Sequence, residues 1–288
     1  MNGQKNLPEK VLRIIKDVPA IPDVVVAVMQ MTRDPNVTAK QLTDRISQDP
    51  GLTANILRLC NSAYYGMPRV VSSLNQAVMY LGFHTIRSLV LTCSFNRFFN
   101  PGKPIYGYVK GGIWRHSVAC AIASDLICKQ VHSEVHDSAF TAGLLHDAGQ
   151  LALGISIKDT ADTIVDLMTH ANLSELEAEK EAVGFTHEDL GAHLADAWNF
   201  PDELIHAMQH HHNPVESETQ SEMTSIVHLA DVMVLDLGYG VNLAQMKYPL
   251  NPVALEMLGK DQAWFDAMKA EAAALIEDQS FQFLQIFD

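Results

Sequence analysis

The run TAGLLHDAGQLALGISI, residues 141–157, contains one adjacent pair of ionisable side chains, His146 and Asp147, and no other lies between Asp137 and Lys158. The remaining residues are apolar or small and do not alternate as a half-buried strand would, so residues 138–150 read as a buried helix. A lone carboxylate in such surroundings costs several kcal/mol, and Asp147 therefore calls for a cation or several hydrogen-bond donors. A metal ion supplies the first, and a neutral imidazole is its natural co-ligand. Neighbouring residues on a helix are about 100° apart, so His146 and Asp147 address one cleft from adjacent directions.

The same helical period extends to either side. After the turn made by Pro19 and Pro22, Asp23 is placed to cap a helix that continues through Val28, Met29 and Met31. Thr38 and Gln41 form a capping box, and Asp49-Pro50 opens the next helix. Further helices are expected at 7–16, 73–81 and 84–98, the last two separated by Gly82. Residues 100–112, NPGKPIYGYVKGG, are rich in proline and glycine and mark a boundary between lobes. Beyond it helices are expected at 114–131, 159–170, 174–183, 187–198, 202–212, 224–237, 253–258 and 261–276. The predicted class is all-α, divided into an N-terminal lobe (7–108), a metal-site lobe (109–240) and a C-terminal extension (241–288).

Composition narrows the function. A 288-residue chain with 48% apolar and 19% charged residues can bury a substantial core. Its net charge of -14, with no basic stripe, excludes a nucleic-acid partner. Cys60, Cys93, Cys120 and Cys128 sit in apolar helical segments without a C-x-x-C pair and read as reduced thiols of a cytoplasmic protein. The N-terminal residues lack the pattern of a signal peptide, and no apolar run reaches the about 20 residues that cross a bilayer, so no membrane association is expected.

Other histidines and aspartates repeat the character of the 146–147 pair. His116 lies with Cys120, Ala123 and Ile127 on one apolar face of a helix whose other face is Trp114, Val118, Ile122 and Leu126. A helix apolar on both sides is buried, and on this pattern alone His116 reads as a core histidine bonded to a carbonyl. Asp231 is a lone carboxylate in an apolar helix with His228 one turn earlier. His187 lies in the first turn of a helix capped by Thr186, with Asp189 completing the box. His210, His211 and His212 form a run at a helix end, which is either a solvated cap favoured by the helix dipole or a source of ligands. His84, His132, His136, His170 and His193 read as surface or structural, and the acidic stretch SELEAEKE, 174–181, as a solvated helix face. Asn61, Tyr64 and Tyr65 lie in a polar-aromatic loop that serves either as a structural turn or as a partner-binding element. No nucleophile elbow, Walker loop or dinucleotide fingerprint is present.

In this constellation LLHDAGQLAL, with a histidine on an earlier helix and an aspartate on a later one, resembles the HD superfamily of metal-dependent phosphohydrolases. His116, His146, Asp147 and Asp231 fall on its H…HD…D ligands. The segments PAIP, LTANILRLCNSAYYG, LNQAVMYLGFHTIRSL and AWNFPDELIHAMQHHHNP are similar to the HDOD family, the HD-related output domain. That resemblance implies a two-lobed helical bundle and a bacterial signalling or regulatory role with a protein partner. It also implies one or two divalent ions (iron, manganese or zinc), with His187, His211 and His212 at the positions of the additional histidine ligands of the related HD-GYP phosphodiesterases. Two departures from those enzymes stand out: Gln150 occupies the place of a lysine, and NPVESETQ follows His212 in place of a GYP motif. The alternative reading is a metal-dependent phosphohydrolase acting on a phosphorylated small molecule or nucleotide, with Asp147 as the candidate catalytic residue.

Overall fold

The computed structural model describes residues 11, 14, 18, 21–99, 108, 109, 111–133, 135–156, 158–216, 221–239 and 246–287. Most of the helix expected at 7–16 and most of the 100–112 boundary lie outside them. The described residues form helices and no strand-built sheet: α1 (Asp23–Met31), α2 (Ala39–Ile46), α3 (Pro50–Cys60), α4 (Leu74–Phe99), α5 (Gly112–Val131), α6 (His136–Leu145), α7 (Ala148–Ser156), α8 (Lys158–His170), α9 (Glu175–Val183), α10 (His187–Ala197), α11 (Asp202–His210), α12 (Ser221–Leu237), α13 (Pro252–Met257) and α14 (Gln262–Phe287). The all-α expectation holds.

Local chemistry sets most of the helix starts. Thr38 accepts from the Gln41 N–H while the Gln41 side chain accepts from the Thr38 N–H. Ser174 with Glu177 and Thr186 with Asp189 do the same for α9 and α10. Asp49 caps α3 ahead of Pro50. The cap expected at Asp23 is instead Pro22, and Asp23 lies in the first turn, where a carboxylate faces the positive helix end. Gly82, at φ +77°, bends α4 where two separate helices were expected.

Helix α5 is the axis of the molecule. It is buried continuously from His116 to Cys128 and is packed by α6, α12 and α14. Two glycines let backbones meet without side chains between them. A Cβ on Gly143 of α6 would lie 2.6 Å from the Cys120 carbonyl oxygen of α5, and one on Gly149 of α7 would lie 2.0 Å from the His187 carbonyl oxygen of α10. One connected apolar core extends from Val11 to Ile276.

Contrary to the sequence expectation, one stretch, Leu74–Phe95, is long and apolar enough to cross a membrane by length and composition, with a mean hydropathy of 1.2. It is bent at Gly82, and Ile86, Leu89, Val90 and Leu91 are fully buried in the core.

Candidate metal centre

The 138–150 segment is not one helix. Helix α6 ends at Leu145 and α7 begins at Ala148, so His146 and Asp147 occupy the junction. The Asp147 carbonyl accepts from the Gln150 and Leu151 N–H groups, which places its carboxylate at the positive end of α7. The break follows from Gly143 and Gly149, which bring the two segments onto different neighbours, α5 and α10.

Around this junction two groups of donors converge. In the first, His116 Nε2 is 2.9 Å from Asp231 Oδ1 and 3.5 Å from Asp147 Oδ2. His146 Nε2 is 3.3 Å from Asp147 Oδ2 and 3.8 Å from Asp231 Oδ1. In the second, His187 Nε2 and His211 Nε2 are 3.6 and 3.4 Å from the other oxygen, Asp147 Oδ1. His212 Nε2 is 3.2 Å from His187 Nε2. Asp147 thus turns one carboxylate oxygen to each group. His210 does not join them; it stacks on His206 at 6.0 Å.

The opposite ring nitrogens are held in place. His116 Nδ1 faces the Tyr239 carbonyl, His146 Nδ1 that of Gly143 and His211 Nδ1 that of Met208. The Glu179 carboxylate accepts from both the His187 N–H and Nδ1. Each Nδ1 is therefore the natural N–H donor, and in the neutral ring each Nε2 is the nitrogen that offers a lone pair inward, the arrangement of a ligating histidine. Tyr108 donates to Asp147 Oδ2 at 2.9 Å, and Tyr248 to Asp231 Oδ2 at 2.7 Å.

Burial and mutual charge pull the ionisable groups apart. Burial presses His146 down, but the carboxylates of Asp147 and Asp231 outweigh it and hold its pKa up at about 9. Burial works to raise Asp147, yet His146, His211 and His187 keep it well below the usual carboxylate range. His187 is also raised, because Glu179, Glu175 and Asp147 overcome its desolvation. Burial pushes His211 down to about 4, and burial with His211 and His187 nearby lowers His212.

Several members of this network carried no clear sequence signal. The stretch read as a solvated face instead buries Glu175 and Glu179, one turn apart on α9. Their carboxylates find internal partners: Gln150 Nε2 donates to Glu175, and His187 to Glu179. Burial, which with the nearby Glu179, Asp147 and Asp231 carboxylates outweighs the opposing His187, raises Glu175 well above its ordinary value and favours its protonated form. Their i, i+4 spacing around buried Ala178 was the available clue. Tyr108 and Tyr248 come from segments of no evident periodicity. His228 faces the His211 carbonyl and accepts from the Asn251 N–H, bracing the centre from outside.

The loop of Asn61, Tyr64 and Tyr65 lies elsewhere. Asn61 donates to the Leu57 and Val71 carbonyls and accepts from the Val71 N–H, closing the turn. Tyr64 donates to Asp125 at 2.7 Å, and both tyrosines line a cavity of about 250 Å³ with Thr85, Ser88, Lys129 and Phe140.

The donors fit a metal centre. Imidazoles and carboxylates are the usual ligands of iron, manganese and zinc. His146 Nε2 is fully buried, aims into the first group and makes no hydrogen bond there. Carboxylate oxygens of Asp147 and Asp231 lie 3.3 and 3.8 Å from it, and a bound cation would give this nitrogen and those oxygens one common partner.

Fold and site together define an HD-like helical protein with a buried histidine–aspartate cluster. The HDOD domain model matches residues 18–214, and the chain belongs to the HDOD domain family. An HDOD domain protein of unknown function from Geobacter sulfurreducens is 25% identical, with a TM-score of 0.72 covering 94% of this chain and 98% of that one. A candidate phosphohydrolase from Shewanella amazonensis SB2B is 22% identical, with a TM-score of 0.75 and coverages of 97% and 98%. A candidate signal transduction protein from Marinobacter aquaeolei VT8 is 20% identical, with a TM-score of 0.77 over 95% of this chain and 65% of that one. An uncharacterised protein of Treponema pallidum (strain Nichols) is 22% identical over 223 residues, which are 76% of this chain and 42% of the relative, so the match spans less than half of that protein.

Proposed function

We propose that this chain is a bacterial signalling or regulatory HDOD protein built around a two-ion metal centre. The observation that carries the reading is the division of Asp147, with Oδ2 facing His116 and His146 and Oδ1 facing His187 and His211. The first ion would be held by His116, His146, Asp147 and Asp231, and the second by Asp147, His187, His211 and His212. Elemental analysis of protein purified without a histidine tag tests this. About two equivalents of iron, manganese or zinc are expected, and a chain that neither carries metal nor is stabilised by adding it overturns the reading.

A specific observation favours regulation over hydrolysis. A cleft of about 470 Å³ opens beside His212 and Glu175 and is completed by Tyr248, Asn213 and Asn251. Among its described lining residues there is no lysine or arginine to meet a phosphate. A second cleft, of about 530 Å³, offers Lys180 among Glu177, Glu188 and Asp189. Gln150, in the position of the HD-GYP lysine, is turned to Glu175. Bound metals would supply Lewis acidity and water activation in the hydrolase alternative, while Asp147 would hold both ions and the histidines would fix their positions. The loop of Tyr64 and Tyr65 is the partner-facing element of the regulatory reading. Replacing both by alanine should disturb a regulatory phenotype in vivo and leave metal content unchanged; loss of metal would show that the two regions are not separable.

A further inference from the structure

We infer that Cys120 is a thiolate ligand of the first ion, so that this half of the centre is a mixed nitrogen, oxygen and sulfur site. The inference rests on the metal-centre reading above and adds to it a residue that the H…HD…D pattern does not contain. Cys120 follows His116 by one turn on α5, and both side chains leave the same face of the helix. Its Sγ is 3.5 Å from His116 Nε2 and 3.8 Å from Asp231 Oδ1. Donor atoms of Cys120, His116, His146 and Asp231 all lie within 4.8 Å of one another. A sulfur and a nitrogen bound tetrahedrally to one zinc, at about 2.3 and 2.1 Å, are about 3.6 Å apart. The sulfur therefore already stands at the spacing of two ligands of one ion.

A second observation points to the same place. His146 Nε2, fully buried and without a hydrogen bond, aims at the space that Sγ also borders. The close crossing of α5 and α6 fixes this meeting, because only a glycine at 143 fits against the Cys120 carbonyl. On binding, the thiol gives up its proton to solvent and the sulfur donates its electron pair to the ion. A soft ligand in the first half of the centre shifts its preference toward zinc and iron(II) and away from manganese or magnesium. The second half, made of imidazoles and a carboxylate, keeps the harder preference.

Cobalt(II) is the probe. Metal-free full-length chain is loaded with cobalt(II), and its absorption is recorded together with the cobalt content. Cobalt bound in the cluster gives visible ligand-field bands, and a cobalt–thiolate bond adds an intense near-ultraviolet charge-transfer band. The wild-type chain is expected to show both. Cys120→Ser should lose the charge-transfer band, keep the ligand-field bands and bind zinc at least tenfold more weakly, while Cys60, Cys93 and Cys128 remain as internal controls. Cys120→Ala, checked by its thermal melt, covers the case in which serine disturbs the packing. Ligand-field bands without charge transfer in the wild type, or a charge-transfer band that survives in both variants, overturn the inference and leave the metal centre standing. A wild-type chain that retains no cobalt, zinc, iron or manganese overturns the metal-centre reading itself, and this inference with it.

Discussion

Asp147 is the residue on which the two donor groups depend. Replacing it by alanine removes an oxygen from each group at once, and metal analysis should find both ions lost. His132→Ala, at a surface helix end, should lose neither. Glu179 acts on the centre through His187, whose Nδ1 proton it accepts. Glu179→Gln should weaken the second ion by about 10–100-fold and spare the first, and equal weakening of both would refute that division. The pKa of about 9 at His146 has a sign that can be checked. Without metal the ring is charged below that pH, so metal uptake displaces a proton, and affinity should strengthen as pH rises to about 9. The same upward shift stabilises the metal-free fold fully below the unfolded value of about 6.5 and ceases to do so as pH rises through about 9. Proton release measured in weakly buffered metal titrations should decline across this window, and no decline would sink the assignment. At this scale much of the cluster was legible, because a lone aspartate or histidine in an apolar helix is conspicuous. Glu175 and Glu179 were hidden by their neighbours Glu177, Lys180 and Glu181, since a charged helix reads as solvated unless its two faces are separated.

Helices carry the ligands into register through glycines. Gly149 lets α7 lie directly on the first turn of α10, which joins the Asp147 junction to His187. Gly149→Ala places a methyl group inside that backbone contact and should cost about 1–3 kcal/mol or more. Because the two helices must separate, the second ion should be lost before the first. Gly51→Ala in α3 is the control, since its Cβ would meet only the Asp49 side chain at 3.4 Å. Calorimetry should find that chain unchanged or stabilised by up to about 1 kcal/mol. A Gly149→Ala chain with wild-type melting temperature and full metal content would show that this contact does not position the site. Helix existence and many boundaries were readable from capping boxes, prolines and Gly82. The break at His146-Asp147 was not, because no proline or strong turn residue marks it. It arises where two glycines dock on different partners, and that is a tertiary cause with no local signature.

On the scale of the whole chain, the centre ties α5, the α6–α7 junction, α10, the end of α11 and α12 to one another. Ions that bind only the folded chain stabilise it by about 2.7 kcal/mol at a free concentration of 100 times Kd. At about 2–4 °C per kcal/mol, chelation should lower the melting temperature by about 5–10 °C, and a melt indifferent to chelator would contradict this linkage. The lack of lysine and arginine in the described lining of the cleft beside His212, together with Gln150, also predicts negligible hydrolysis of cyclic di-GMP with manganese or ferrous iron. Turnover of about 1 per second or more would contradict it. The separation of the ligands along the chain has a further meaning for how the protein is made. Cys120 and Asp231 are 111 residues apart. At ribosomal rates of about 5–20 residues per second, about 5–20 s pass between the emergence of one and the other. For the later part of that interval the growing chain displays His116, Cys120, His146 and Asp147 without Asp231, the carboxylate that completes their half of the centre. On the metal-centre reading, the first ion would therefore be loaded late in the life of each molecule, set by which ions are available once α12 has left the ribosome.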